Sequence, residues 1–88
     1  MTKYFWTRTC PRCDGQGRLL VFLDATHDNL YLHCEECEWG WRDPVAAAAG
    51  DLKASFLTLL EHFESEPATG EEIERRGWKR YVAGEFKA

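Results

Sequence analysis

The stretch Cys10-Pro11-Arg12-Cys13 and its counterpart Cys34-Glu35-Glu36-Cys37 decide the fold expected for this chain of 88 residues. The two Cys-x-x-Cys pairs are separated by 20 residues, and together they contain all four cysteines of the sequence. Each pair can offer two thiolates from one tight turn, and four thiolates complete a tetrahedral zinc site. The sequence therefore predicts a structural metal site with the ligands Cys10, Cys13, Cys34 and Cys37.

Zinc is the expected metal, and iron is the alternative. A rubredoxin-like iron site uses the same four thiolates in similar turns. A thioredoxin-type redox pair is disfavoured, because it lies at the start of a helix and Asp14-Gly15-Gln16-Gly17 is a poor helix start. Four cysteine ligands leave no open coordination position, and no nucleophile has an evident base beside it in the sequence. We therefore expect that the protein is not an enzyme.

The sequence around the two cysteine turns indicates short strands. An apolar run, a polar loop and a second extended segment predict a β-hairpin between the turns, and Gly15 and Gly17 suit the tight first turn. Trp39-Gly40-Trp41 would place two indoles on one face of a final strand. The predicted strands cover residues 4–9, 19–23, 30–33 and 39–41.

The C-terminal half carries helix signals. Asp43-Pro44 is typical of a helix start, and apolar residues recur from there at steps of three and four. This pattern predicts an amphipathic helix over residues 43–64, interrupted at Gly50. Thr69 and Glu72 have the spacing of a capping box, which predicts a short helix and then a C-terminal tail within residues 69–88.

The order of strand, Cys-Pro-x-Cys turn, hairpin, Cys-x-x-Cys turn and strand resembles the zinc-ribbon family. This resemblance covers residues 4–42 and implies three to four short antiparallel strands around a structural zinc ion. We therefore expect an α+β fold in which a single domain of residues 1–88 joins an N-terminal zinc ribbon to a helical C-terminal half. The zinc-ribbon pattern does not by itself fix a function.

The formal net charge is −4. Four thiolates on one Zn²⁺ bring the zinc-bound form to about −6. This charge disfavours a phosphate backbone as ligand and favours a basic protein partner. Acidic residues are dense around the predicted short helix, and two tryptophans follow the second cysteine turn. The expected partner-binding residues are Glu71, Glu72, Glu74, Trp39 and Trp41, although burial is favoured for at least one of the two tryptophans.

A ribbon followed by acidic helical segments is also similar to small bacterial immunity proteins of toxin–immunity loci. That resemblance implies an immunity or regulatory protein that docks onto a basic toxin or nuclease. The alternative is a nucleic-acid-binding zinc ribbon in transcription or nucleic-acid processing. Its contacts would come from the basic cluster Arg75, Arg76, Lys79 and Arg80.

The sequence also predicts a cytoplasmic protein without a membrane partner. No apolar run is long enough to span a bilayer, and residues 1–8 lack the core of a signal peptide. In a reducing compartment, paired cysteines serve as metal ligands more readily than as disulfides.

Overall fold

A computed structural model describes residues 2–88, and its main feature is one antiparallel sheet that draws strands from both halves of the chain. The strands are β1 (Lys3–Thr9), β2 (Arg18–Asp24), β3 (Asn29–Cys34), β4 (Trp39–Trp41), β5 (Ser55–Leu57), β6 (Ser65–Pro67) and β7 (Gly84–Lys87). The helices are α1 (Pro44–Ala48) and α2 (Gly70–Arg75), and 3₁₀ turns cover Leu52–Ala54, Thr58–Leu60 and Lys79–Tyr81.

The order of the strands across the sheet is β5-β4-β3-β2-β1-β7. The seventh strand, β6, pairs with β2 along the same edge as β1 does. The two strands share this edge because β1 pairs with β2 only from Trp6 onwards, while β6 pairs with β2 at Phe22 and beyond. Every C-terminal strand is therefore attached to a strand of the N-terminal half.

The strands predicted for the N-terminal half are confirmed. β2 and β3 form the expected hairpin, in register from the pair Leu19 and Cys34 to the pair Asp24 and Asn29. β4 follows the second cysteine turn and adds to β3 by pairing Leu32 with Trp41. This hairpin brings the two cysteine turns to the same end of the sheet.

The predicted helix over residues 43–64 is wrong. It begins as expected, since Asp43 caps α1 and Pro44 occupies its first turn, but α1 ends at Ala48. Gly50 follows with φ of +69°, a left-handed conformation that does not continue a helix. Phe56, which fits the helical stripe, lies instead on β5 and pairs with Gly40 of β4.

Gly40 explains how the segment after α1 comes so close to the sheet. A Cβ atom at this position would lie 2.3 Å from the Leu32 carbonyl oxygen and 2.9 Å from Thr58 Cγ2. Only a glycine allows such an approach. Pairing with β4 then provides hydrogen-bond partners for the backbone of β5. In a helix, the segment would have to provide these partners itself.

The short helix within residues 69–88 is confirmed as α2. The Thr69 side chain accepts a hydrogen bond from the Glu72 backbone N–H at 3.1 Å, as the cap predicts. The tail contains a 3₁₀ turn and then β7, which pairs with β1. The expected α+β fold with a helical C-terminal half is therefore wrong, because this half contributes three strands and only two short helices to a sheet protein.

The two faces of the sheet differ. One face packs under α1 and α2 and forms the buried core, in which Leu19, Leu32 and Trp41 are inaccessible to solvent. The opposite face is rich in aromatic side chains that touch one another across the strands. These residues are Tyr4, Phe22, Tyr31, His33, Phe56 and Phe86.

Candidate metal centre

The first cysteine turn is closed by backbone hydrogen bonds around Cys10 and Cys13. The Cys10 N–H donates to the Gly17 carbonyl at 2.8 Å, and the Gly15 N–H donates to the Cys10 carbonyl at 2.9 Å. A Cβ atom on Gly17 would lie 2.7 Å from Cys34 Sγ. Gly17 therefore makes room for a sulfur atom of the other turn. The sequence had indicated only that Gly17 suits the tight first turn.

The second turn wraps its backbone around Cys34. The N–H groups of Glu36 and Cys37 each donate to Cys34 Sγ at 3.4 Å. Hydrogen bonds of this kind stabilise a negatively charged sulfur. The turn ends with Glu38 in a left-handed conformation, φ 60°, and the chain enters β4 directly afterwards.

The four sulfur atoms form one cluster. All lie within 4.8 Å of one another, with Cys10 Sγ 3.8 Å from Cys37 Sγ and Cys13 Sγ 3.7 Å from Cys34 Sγ. A tetrahedral zinc ion with Zn–S bonds of about 2.3 Å requires sulfur atoms about 3.8 Å apart. A disulfide needs about 2.05 Å, so the four cysteines are free thiols placed for a metal ion. The donor set fits zinc.

The environment of the thiols couples metal binding to proton release. Burial raises the pKa of the Cys34 thiol to about 12, and burial also raises the pKa of Cys10, although backbone N–H groups oppose it at both positions. The pKa of Cys13 is lowered: burial would raise it, but the hydrogen bond at the Gly17 backbone and the neighbouring thiols outweigh burial. A metal ion must displace protons from the buried thiols, so its affinity falls as pH falls.

Two arginine contacts join the turns to the sheet. The Arg12 guanidinium carbon, between the first two cysteines, lies 3.6 Å from the ring centroid of Trp39. Arg18, at the start of β2, donates to both carboxylate oxygens of Glu35, from Nε at 2.7 Å and from Nη2 at 3.2 Å. Each contact links the first half of the cysteine pattern to the second.

The chemistry of this site is that of a closed coordination sphere. Four thiolates occupy every position of a tetrahedral ion and leave none for a substrate or water. Zinc bound here would have no redox chemistry and would act by holding the two turns together. The structure thus supports a metal-binding module whose ligands are the four cysteines.

The expected partner-binding residues differ in how accessible they are. Glu71 and Glu74 are exposed on α2, whereas Glu72 accepts hydrogen bonds from Arg75 Nη2 at 2.7 Å and from Arg76 Nε at 3.0 Å. Trp39 is partly exposed under Arg12. Trp41 is completely buried and donates from Nε1 to the Asp51 carbonyl at 2.9 Å, so it is not available to a partner.

The basic residues of the alternative function are divided in the same way. Arg75 and Arg76 pair with Glu72, and Arg76 also donates to the carbonyl and carboxylate of Asp28. Lys79 and Arg80 are exposed in the following 3₁₀ turn. Half of this basic cluster is therefore paired with carboxylates of the protein itself.

Sequence reasoning missed a buried ionic network at the far end of the hairpin. Asp24 is fully buried, and its carboxylate accepts from His27 Nδ1 at 2.7 Å and from Arg42 Nη2 at 2.9 Å. Burial alone would raise the pKa of Asp24, but the hydrogen bonds from His27 and Arg42 lower it. A charged residue at the end of an otherwise apolar strand was the only available signal.

No protein-family model, curated protein or solved structure matches the chain. Throughout residues 2–88, no helix has the length and hydrophobicity that a membrane span requires.

Proposed function

We propose that the protein is a non-enzymatic, zinc-stabilised protein-binding module of the cytoplasm, acting as a small bacterial immunity or regulatory protein that docks onto a basic partner through an acidic surface. The observation that carries this proposal is the cysteine cluster, whose sulfur atoms all lie within 4.8 Å of one another. A closed thiolate site stabilises a fold and leaves binding to the rest of the surface.

In this proposal, the resemblance to zinc ribbons is limited to the two cysteine turns and their ligand set. The fold as a whole is not part of it. In a chain of this length a single core supplies only a few kcal/mol, so a structural metal has a clear physical purpose. Bound zinc contributes about 10–16 kcal/mol of apparent free energy in small cysteine-rich modules.

The acidic surface is proposed on α2. Glu71 and Glu74 are exposed, and neither is in an ion pair with any residue of the described range 2–88. The net charge of −4 favours a basic protein as the partner. The alternative, nucleic-acid binding, has less support, because Glu72 already pairs with Arg75 and Arg76.

An affinity capture from lysate of the source cells tests the proposal, with and without nuclease treatment. We expect a stoichiometric, basic protein partner that survives the nuclease. The double variant Glu71→Lys, Glu74→Lys should lose this partner, while the matched double variant Glu64→Lys, Glu66→Lys, which makes the same charge change on other exposed residues, should retain it. Recovery of nucleic acid, or a partner lost on nuclease treatment, would contradict the proposal.

A further inference from the structure

A cavity of about 310 Å³ lies on the aromatic face of the sheet, beneath the chain that follows β5. β2 and β3 provide its floor, and residues 58–65 provide its opposite wall. Neither the metal centre nor the proposed surface on α2 uses it. Its lining is dominated by four rings and two carboxylates, from Phe22, Tyr31, His33, Phe63, Glu38 and Glu61.

The rings that line the cavity contact one another, one pair edge to face and the others tilted. Tyr31 and Phe63 are 5.3 Å apart between centroids with an interplanar angle of 88°, and Phe22 is 5.9 Å from Tyr31 at 46°. The face of an aromatic ring carries partial negative charge and attracts a cation. These rings line the cavity together.

The carboxylates add full negative charge, and no lysine or arginine lines the cavity. Glu38 is held in place through its backbone: the Thr58 hydroxyl donates to the Glu38 carbonyl at 2.6 Å and lies 3.0 Å from His33 Nδ1. Glu61 is exposed at the rim. Neither carboxylate forms an ion pair with a residue in the range 2–88.

A cation of the protein itself already lies beside two of these rings. The Arg42 guanidinium carbon is 5.2 Å from the Phe63 centroid and 5.9 Å from the Tyr31 centroid. Its charge is balanced by the buried carboxylate of Asp24, 2.9 Å away. The cavity therefore keeps an excess of negative charge from its own two glutamates.

We propose that this cavity binds the ammonium group of a lysine side chain presented by a basic partner protein. The cavity offers two separate carboxylates, from Glu38 and Glu61. Two separate carboxylates suit the three rotatable donors of an ammonium group, whereas the planar fork of a guanidinium matches a single carboxylate.

The rim of the cavity identifies the source of the lysine as a protein rather than a free amine. Leu59 lines the cavity and is 64% exposed, and the adjacent Leu60 is 71% exposed. Exposed leucines beside a binding cavity are suited to contact with a second macromolecule. The inference rests on the proposed function only in that it requires a basic protein partner.

NMR titration of the zinc-loaded full chain tests the cavity directly, with Nα-acetyl-lysine methylamide as the probe and its norleucine analogue as the neutral control. We expect the lysine probe, and not the norleucine analogue, to shift the signals of Phe22, Tyr31 and Phe63. Glu61→Gln and Phe63→Leu should each weaken binding by about threefold to tenfold. Glu66→Gln, which removes the same charge from an exposed residue outside the cavity, should leave it unchanged.

Three results would overturn the inference. They are equal binding of the norleucine analogue, equal weakening by Glu61→Gln and Glu66→Gln, and tighter binding of the corresponding arginine probe. Because Glu61 is exposed, its variant tests the site even if Phe63→Leu does not fold. A failed titration beside a successful partner capture would reject the lysine site alone. A successful titration, with capture of a basic partner that the double variant Glu71→Lys, Glu74→Lys retains, would reject the proposed surface on α2 alone.

Discussion

The cysteine region (residues 10–41) and the C-terminal region (residues 42–88) build one sheet by different means. In the cysteine region, two turns and a six-pair hairpin place four ligands within 4.8 Å of one another. In the C-terminal region, β5 and β6 are only three residues long, and each pairs with a strand of the cysteine region. The cysteine region is organised by its own metal ligands. The short strands of the C-terminal region are instead positioned by pairing with strands of the cysteine region.

Metal removal tests this difference and should have the largest effect on stability. Stripping the metal with a chelator removes a contribution of about 10–16 kcal/mol, and replacing Cys34 by Ser removes part of it by deleting one of the four thiolate ligands. We expect the cysteine region to unfold and β5 and β6 to be released with it, because their pairing partners are lost. Circular dichroism and NMR should record one joint transition.

The same experiment has a clear opposite outcome. If the C-terminal region keeps its secondary structure after complete metal removal, it does not depend on the cysteine region in the way the pairing implies. Unchanged circular dichroism of the whole chain would mean that the metal does not stabilise the fold.

The buried network of Asp24 joins the two regions, because Arg42 lies at the start of the C-terminal region. Asp24→Asn should destabilise the protein by about 2–3 kcal/mol through the loss of charged hydrogen bonds to His27 and Arg42. Chemical denaturation at saturating zinc measures this loss. Glu66→Gln, an exposed carboxylate outside the network, is the matched control and should change stability little.

The network also makes the stability of the folded protein depend on pH in the acid range. The pKa of Asp24 is lower in the folded chain than its unfolded value of about 3.9. Its contribution is therefore complete above that unfolded value and is lost as pH falls through the folded pKa. Asp24→Asn should lose less stability than the native chain over this acid range, and an identical acid dependence in both would contradict the assignment.

A pair of glycines distinguishes packing around the metal from backbone strain in the C-terminal region. Gly17→Ala places a methyl group 2.7 Å from Cys34 Sγ, and we expect about 1–3 kcal/mol of overpacking together with weaker zinc binding. Gly77→Ala meets no atom within 4 Å but has φ of +76°, so it should cost about 1 kcal/mol without altering zinc affinity. Competition with a zinc-binding dye separates the two, and equal zinc affinity in both variants would contradict this account.

The smallest expected effect lies within α2. Thr69→Ala removes the side-chain acceptor for the Glu72 N–H and should cost about 1 kcal/mol. Thr69→Ser keeps that acceptor and should restore most of the stability. Zinc affinity should not change in either variant, and a change would show that α2 is coupled to the metal centre.

The sequence was sufficient for the cysteine region, because its information is local. Ligand spacing, an apolar run and turn residues together predicted β2 to β4 and the ligands Cys10, Cys13, Cys34 and Cys37. The cap of α2 was predicted for the same reason, since Thr69 and Glu72 are three residues apart.

The sequence failed where structure depends on distant partners. Phe56 and Leu59 fit a helical stripe, yet Phe56 is held in β5 by pairing with Gly40, and Leu59 is left exposed. A three-residue strand has too little pattern to be separated from part of a helix. The sequence favoured burial for at least one of the two tryptophans, and Trp41 confirms this, but it did not identify which one. The pairing of Asp24 with Arg42 was missed because it depends on a long-range contact.

Zinc K-edge X-ray absorption on protein purified from its source cells tests the central claim most directly. We predict one zinc ion per chain, with four sulfur ligands at about 2.3 Å and no nitrogen or oxygen in its first shell. A mixed shell, an iron edge in place of zinc, or a metal-free chain with its cysteines joined in disulfides would contradict it.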